Sequence, residues 1–115
     1  MNKGIVYIVK AGFGMTYKIG KSVESNFAKR MSEANTWVPK GKLVAVIITC
    51  CEESAIREEA RIHAILNSAD NHVDGEWFKG WKTRSVVKDI QSLHGKVNCK
   101  LDARSIRNTM IHKII

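Results

Sequence analysis

The sequence predicts a small α+β domain with a three-stranded antiparallel sheet flanked by helices, followed by a basic helical extension. Two β-branched segments joined by a glycine-containing turn open the chain, and the most apolar run comes after a segment with helical spacing. A hairpin makes the first two strands antiparallel, and the third strand can join them. With 115 residues, the chain has room for one modest core. We expect residues 1–80 to form this core and residues 81–115 the extension.

The first two strands are predicted over residues 4–10 and 15–20, where apolar β-branched residues dominate. Residues 11–14, Ala-Gly-Phe-Gly, supply the turn, because glycine tolerates the positive φ of tight hairpins. Residues 43–50 form the most apolar run, Leu-Val-Ala-Val-Ile-Ile-Thr-Cys, and predict a central strand. A loop over residues 37–41 contains Pro39, the single proline.

Four helices are predicted over residues 25–34, 54–67, 84–93 and 103–113. Ser22 or Ser25 is expected to cap the first helix, and Ser54 to open the second. The buried face of the first helix is predicted to carry Phe27, Met31 and Ala34. That of the second is predicted to carry Ile56, Ala60, His63 and Ala64.

The charge of the chain is strongly asymmetric. Residues 1–78 hold ten Lys and Arg against nine Asp and Glu, whereas residues 79–115 hold nine against two. This asymmetry favours a polyanion as the partner, with nucleic acid first and an acidic membrane surface second. A solvated basic surface without a ligand is the simpler alternative.

The sequence argues against several other classes of protein. No apolar stretch is long enough for a membrane span, and the N-terminus lacks the pattern of a secretory signal. The odd number of cysteines, with Cys50 and Cys51 adjacent and Cys99 apart, predicts reduced thiols and no zinc knuckle. We therefore expect a cytoplasmic protein.

Four short motifs follow one another along residues 4–78, after a first strand that reads Gly-Ile-Val-Tyr. They are Lys18-Ile19-Gly20-Lys21-Ser22, Lys29-Arg30, Glu59-x-x-x-His63 and Gly75-Glu76-Trp77-Phe78. Each motif is weak, but together they are fairly specific. The set resembles the GIY-YIG nuclease superfamily, in particular its phage-type DNA-binding-domain branch, in which lysine replaces the tyrosine of the second motif. The resemblance implies a phage protein or one of a bacterial host.

The resemblance implies a metal-dependent DNA endonuclease with Mg²⁺ or Mn²⁺ as its cofactor. Tyr7 would activate water, Arg30 would hold the scissile phosphate and Glu59 would bind the metal. Phosphodiester hydrolysis needs an activated water and neutralised phosphate charge, and one carboxylate with waters suffices to hold Mg²⁺. Lys18 completes the implied catalytic set with His63, which lies one helical turn from Glu59.

Each of these assignments has a simpler alternative. Tyr7 would be a core tyrosine, His63 a buried histidine with satisfied hydrogen bonds, and Glu59 a solvated carboxylate near Glu58. For Glu76 a structural role beside Trp77 and Phe78, which we expect to close the core, is favoured over a catalytic role, which stays open. Strand alternation places Tyr17 and Lys18 on opposite faces, so both cannot point into one site; the resemblance favours Lys18.

DNA contacts are expected from basic residues that bind phosphate without reading sequence. They are Lys21, Lys29, Lys79, Lys82, Arg84, Arg104 and Arg107. Three departures from the family pattern leave other functions open. They are the Gly-Ile-Val-Tyr motif, the lysine in place of tyrosine in the second motif, and the lack of a clear late asparagine unless Asn67 or Asn71 supplies it. The other functions are a catalytically weak or inactive DNA-binding module, and a phage interaction protein that acts on a host partner.

Overall fold

The structure of the protein, a computed structural model, describes residues 2–12, 14–38 and 40–114, apart from the side chains of Trp37, His112 and Ile114. The predicted turn residue Phe13 and the loop residue Pro39 lie outside this part of the chain. The strands of the described residues are β1 Gly4–Lys10, β2 Thr16–Val23, β3 Lys42–Thr49, β4 His72–Asp74, β5 Trp77–Lys79 and β6 Cys99–Lys100. The helices are α1 Glu24–Trp37, α2 Glu52–Ser68, α3 Trp81–His94 and α4 Ala103–Ile114.

The six described strands form one antiparallel sheet in the order β4-β5-β2-β1-β3-β6. The predicted three-stranded sheet is therefore wrong. Strands β4, β5 and β6 have only two or three residues each, too few for an alternating pattern to reveal them. They become strands because they meet the edges of a sheet that the longer strands have already formed.

Helices cover both faces of the sheet. Strand β1 sends alternate side chains to opposite sides, with Ile5, Tyr7 and Val9 in one apolar cluster and Val6 and Ile8 in the other. The first cluster includes residues of α1 and α4, and the second includes residues of α2 and α3. The predicted division of the chain at residue 80 stays a prediction, although α3 and α4 pack within these two layers.

The first helix buries the predicted residues Phe27, Met31 and Ala34, but its N-terminus differs from the prediction. Neither predicted serine caps it: the capping position is Val23, and its side chain makes no capping hydrogen bond. Instead, the backbone N–H of Ser25 donates to Oδ1 of Asn2 at 3.0 Å. A distant residue thus satisfies one of the free N–H groups at this helix end.

The second helix begins at Glu52, before the predicted Ser54, and buries a different face from the one expected. Its buried residues are Ala55, Ile62 and Leu66, whereas Ile56 is exposed. The predicted face was wrong because the apolar residues of this helix are compatible with two overlapping buried faces. Packing against β1 and β2 decides between these faces, and the helical spacing alone does not.

Asn71 joins the end of α2 to the start of α3. Its Oδ1 accepts hydrogen bonds from the backbone N–H of Thr83 at 2.8 Å and from the Thr83 hydroxyl at 3.0 Å, while its Nδ2 donates to the Ala69 carbonyl at 2.9 Å. Both Asn71 and Thr83 are buried. Gly80 has a φ of +126°, and a Cβ there would lie 2.6 Å from Asn71 Oδ1. Asn71 is thus a structural residue in this fold.

Asn71→Ala should lower the free energy of unfolding by about 3 kcal/mol, because two buried donors of Thr83 lose their acceptor. Asn71→Asp is the matched control, since it keeps an oxygen acceptor for Thr83 and should cost less. Urea denaturation followed by circular dichroism measures both values. Equal losses for the two variants would contradict this role of Oδ1.

Candidate active site

The site lies at the part of β2 that extends beyond its pairing with β5. Strand β5 pairs with Thr16–Lys18 of β2, and one further hydrogen bond joins the Ile19 N–H to the Glu76 carbonyl at 2.9 Å. Among the described residues, no strand pairs with Gly20–Val23 on this side. Side chains from α1 on one face and α2 on the other can therefore meet at this edge.

Tyr7 and Arg30 form the centre of the site. Tyr7 lies opposite Gly20 in the β1–β2 register, and only 1% of its surface is exposed. Its hydroxyl oxygen accepts a long hydrogen bond of 3.4 Å from Nε of Arg30. Burial raises the pKa of Tyr7, and the hydrogen bond from Arg30 partly opposes this rise. The same hydrogen bond raises the pKa of Arg30.

Gly20 leaves the space that the Tyr7 hydroxyl occupies. A Cβ at this position would overlap the hydroxyl of Tyr7 and would lie 2.7 Å from Oε2 of Glu76. The phenol of Tyr7 and the carboxylate of Glu76 therefore face the same small space beside the β2 backbone. Here glycine is needed for close approach of side chains and not for an unusual φ.

Glu59 brings a carboxylate to this edge from α2. Its Oε2 is buried and has no hydrogen-bond partner in the described part of the chain. Burial raises the pKa of Glu59, and the negative charge of Glu76 raises it further, whereas His63, Lys21 and Arg30 lower it. An unsatisfied buried carboxylate oxygen is costly, and it is the strongest sign that this site takes a ligand.

His63 lies one helical turn from Glu59 and closes the open edge of β2. Since the Ile19 carbonyl can only accept, Nε2 of His63 carries the proton and donates to it at 2.7 Å. The ring also packs against Phe78, with the centroids 4.8 Å apart. His63 is therefore held by a structural hydrogen bond at Nε2, and Nδ1 is its second ring nitrogen.

Positive charge surrounds the two carboxylates. Nζ of Lys18 lies 4.0 Å from Oε2 of Glu76, and burial lowers the pKa of Lys18, an effect that Glu76 opposes. A cavity of about 200 Å³ beside the β2 edge is lined by Lys21 and Arg30 together with Ser22, Val23, Asn26 and Glu52. Two cations, Lys21 and Arg30, and one carboxylate, Glu52, thus line this cavity.

The structure brings together Tyr7, Lys18, Lys21, Arg30, Glu59 and His63, whereas the other predicted DNA-binding residues are spread over the surface. Lys29 and Lys79 are exposed on α1 and β5, Lys82 and Arg84 lie on α3, and Arg104 and Arg107 are exposed on α4. Helices α3 and α4 contribute to clusters on opposite faces of the sheet. The basic residues of the C-terminal region therefore lie on helices that pack against opposite faces of the sheet.

Glu76 belongs to the site, although the sequence favoured a structural role for it over a catalytic one. Its carboxylate was expected to be structural, but it points towards Gly20 and Lys18. Phe78 closes the core as expected and is fully buried. The position of Glu76 follows from the tight β4–β5 turn, where Gly75 has a φ of +54°. The motif Gly75-Glu76-Trp77-Phe78 was the sequence signal for this residue.

No group of three or more His, Cys, Asp and Glu side chains within the described residues is arranged to hold a metal ion. A cation at this edge would thus rely on Glu59 and Glu76, with the remaining ligands from water and substrate. None of the helices in the described ranges has the length and apolarity needed to cross a membrane.

The chain matches the model of a known protein family. The family model of the T5orf172 domain matches residues 4–95, which is most of the 115 residues, so the chain belongs to the T5orf172 domain family. This family indicates a phage-type domain that is nuclease-like or DNA-binding. No match was found among curated proteins or among solved structures.

The family assignment made from the sequence is thereby corrected. The four motifs suggested the GIY-YIG nuclease superfamily, but the model that matches is that of the T5orf172 domain. The catalytic roles that the resemblance implied for Tyr7, Arg30 and Glu59 stay predictions.

Gly20→Ala should reduce any activity of this site by about 100-fold, because the added methyl group displaces the Tyr7 hydroxyl and the Glu76 carboxylate from their shared space. Gly4→Ala is a useful comparison, since a Cβ there would meet the backbone of Cys51 and the side chain of Ala55. It should lower the melting temperature but keep the specific activity of the folded fraction. If Gly20→Ala instead lowers the melting temperature but keeps the specific activity of the folded fraction, Gly20 has a role in folding alone.

Glu59→Gln should raise the melting temperature by a few degrees at neutral pH. Because its pKa is raised, Glu59 favours the folded state below its ordinary value of 4.5, and this contribution is lost as the pH rises through the raised pKa. The gain from the substitution should therefore shrink as the pH falls towards 4.5. The pKa of Glu58 is lowered by a hydrogen bond from Arg61, so the variant Glu58→Gln should give no such gain in melting temperature.

Thermal melts of the three chains over this pH range measure the difference. A Glu59→Gln chain that is less stable than the native chain at neutral pH would contradict a costly buried charge.

Proposed function

We propose that this protein is a metal-dependent DNA endonuclease that hydrolyses phosphodiester bonds at the open edge of β2. The observation that carries this proposal is the buried Oε2 of Glu59, without a hydrogen-bond partner among the described residues, next to the Tyr7–Arg30 pair. A buried carboxylate oxygen without a hydrogen bond can bind a divalent metal ion. Such an ion would bridge this oxygen and the phosphate of the DNA.

The residues at this edge fit a Mg²⁺ or Mn²⁺ ion. Hard oxygen ligands suit both ions, and Mg²⁺ commonly keeps several waters and uses only one or two carboxylates. Glu59 would hold the ion, with Glu76 as the second carboxylate, whose charge raises the pKa of Glu59. When bound, the ion supplies positive charge next to the phosphate oxygens.

The side chains of the site divide the remaining work. Arg30 binds the scissile phosphate, because one guanidinium offers five N–H donors and its contact with Tyr7 uses Nε. Tyr7 orients the attacking water and accepts its proton. The Arg30 guanidinium at the phenolic oxygen favours the ionised form that this step needs, while burial, which raises the pKa of Tyr7, opposes it.

Lys18 and His63 complete the site as positioning residues. Lys18 lies beside Glu76 and orients its carboxylate towards Gly20. His63 holds the Ile19 carbonyl, so that the β2 backbone next to Gly20 stays in place. Lys21 lines the neighbouring cavity and attracts the phosphate.

A catalytically weak or inactive DNA-binding module is the second candidate. It is favoured by the raised pKa of Tyr7, because a phenol that holds its proton strongly is a poor general base. In that case the same basic residues bind phosphate, and no bond is cut.

Cleavage of supercoiled plasmid and of branched DNA with Mg²⁺ or Mn²⁺ separates these candidates. The native chain should nick the DNA, and Glu59→Gln should lower the rate by at least about 100-fold. Glu58→Gln is the matched control: it removes the same charge from the neighbouring residue, whose carboxylate binds Arg61, and should keep full activity.

Each other outcome has a definite meaning. Equal rates for the native chain and Glu59→Gln would refute the metal-binding role of Glu59. Salt-sensitive DNA binding without nicking by the native chain would favour the binding module. A native chain that neither binds nor cuts DNA would favour an interaction protein that acts on a host partner.

A further inference from the structure

A second basic site lies away from the candidate active site. A groove of about 450 Å³ runs between the end of the β1–β2 hairpin, the start of β3 and helix α3. We call it the basic groove, and its basic residues are Lys10, Lys40, Lys42, Arg84, Lys88 and Lys96. No Asp or Glu is among the described residues that line it.

The positive charge of the basic groove is available to a ligand. None of its six basic residues takes part in an ion pair in the described part of the chain, and all but Lys10 are exposed. Six like charges around one groove repel one another, and an anionic ligand relieves this repulsion. Gln91 in its lining donates to the Val44 carbonyl at 3.0 Å, which fixes α3 against β3.

An exposed aromatic ring adjoins the basic groove. Arg84, Lys88 and Met15 also line a neighbouring depression, and this depression contains Trp81. Trp81 is 77% exposed, so its indole ring contributes little to the core. Asp89 is the one carboxylate among the described residues that line the depression, so the basic character of the region continues up to the ring.

We infer that the basic groove binds a single-stranded stretch of nucleic acid, with phosphates along its lysines and a base stacked on Trp81. Proteins that bind single strands without reading sequence combine a positive groove with aromatic side chains on which bases stack. An indole ring on the surface can stack on a base that is unpaired and turned outward. The bases of an intact duplex already stack on one another, so a duplex would leave this ring unused.

The basic groove is separate from the candidate active site. None of Tyr7, Arg30 and Glu59 lines it. Binding there requires no bond cleavage, so this inference does not rest on the proposed function.

Fluorescence anisotropy with a labelled single strand of about 12 thymidines tests this inference. The measurement uses EDTA, so that a failure of the metal site cannot affect it. Trp81→Ala should weaken binding about tenfold or more, while it leaves the affinity for a duplex of the same length unchanged. Leu93→Ala, at the other end of α3 and 80% exposed, is the matched control and should bind as the native chain does.

The charges are tested by the double variant Arg84→Gln with Lys88→Gln. The logarithm of the association constant falls linearly with the logarithm of the salt concentration. The double variant should make this slope less steep by about 0.7 for each phosphate that is no longer neutralised, measured between about 50 and 200 mM salt. Arg57→Gln with Arg61→Gln removes the same charge with the same spacing from α2 and should leave the slope unchanged.

Two results would overturn the inference. The first is an equal weakening of single-strand binding for the two double variants, because it would mean that only net charge matters. The second is native affinity for Trp81→Ala, because it would exclude the stacking interaction.

Discussion

The short length of β5 is the constraint on which the candidate active site depends. Because β5 stops pairing with β2 at Lys18, the backbone beyond Ile19 has a free edge inside an otherwise continuous sheet. The Tyr7 side chain reaches this edge over Gly20 from one face of the sheet. Helix α2 brings Glu59 to the same edge from the other face. A β5 longer by one or two pairs would cover this edge and separate the two groups of residues.

The chemistry of the site is obtained at the cost of local stability. Glu59 is partly buried near a second carboxylate, and Lys18 is buried as well, although charged groups lose favourable hydration when they leave water. Each charge is stabilised only partly by its neighbours. Such an arrangement is common where a site keeps charged groups ready to act on a ligand.

Much of the fold could be predicted from the sequence, and the missed parts have a common physical cause. The long strands and the buried face of α1 follow from local periodicity, which an isolated segment already contains. Strands β4 to β6 and the buried face of α2 depend on distant partners, so that no local pattern specifies them. In the same way, Tyr7, Arg30 and Glu76 could be found as motif residues, whereas the lysines of the basic groove become neighbours only in the folded chain.

The position of the outer strands has a consequence for synthesis on the ribosome. The central strands β2, β1 and β3 are complete once residue 49 has emerged, but both of their outer neighbours come from residues 72–100. Until then, a nascent chain with this central sheet carries open backbone edges on both sides. Open edges can pair with other chains, so the time between these two points is when this protein is most exposed to aggregation.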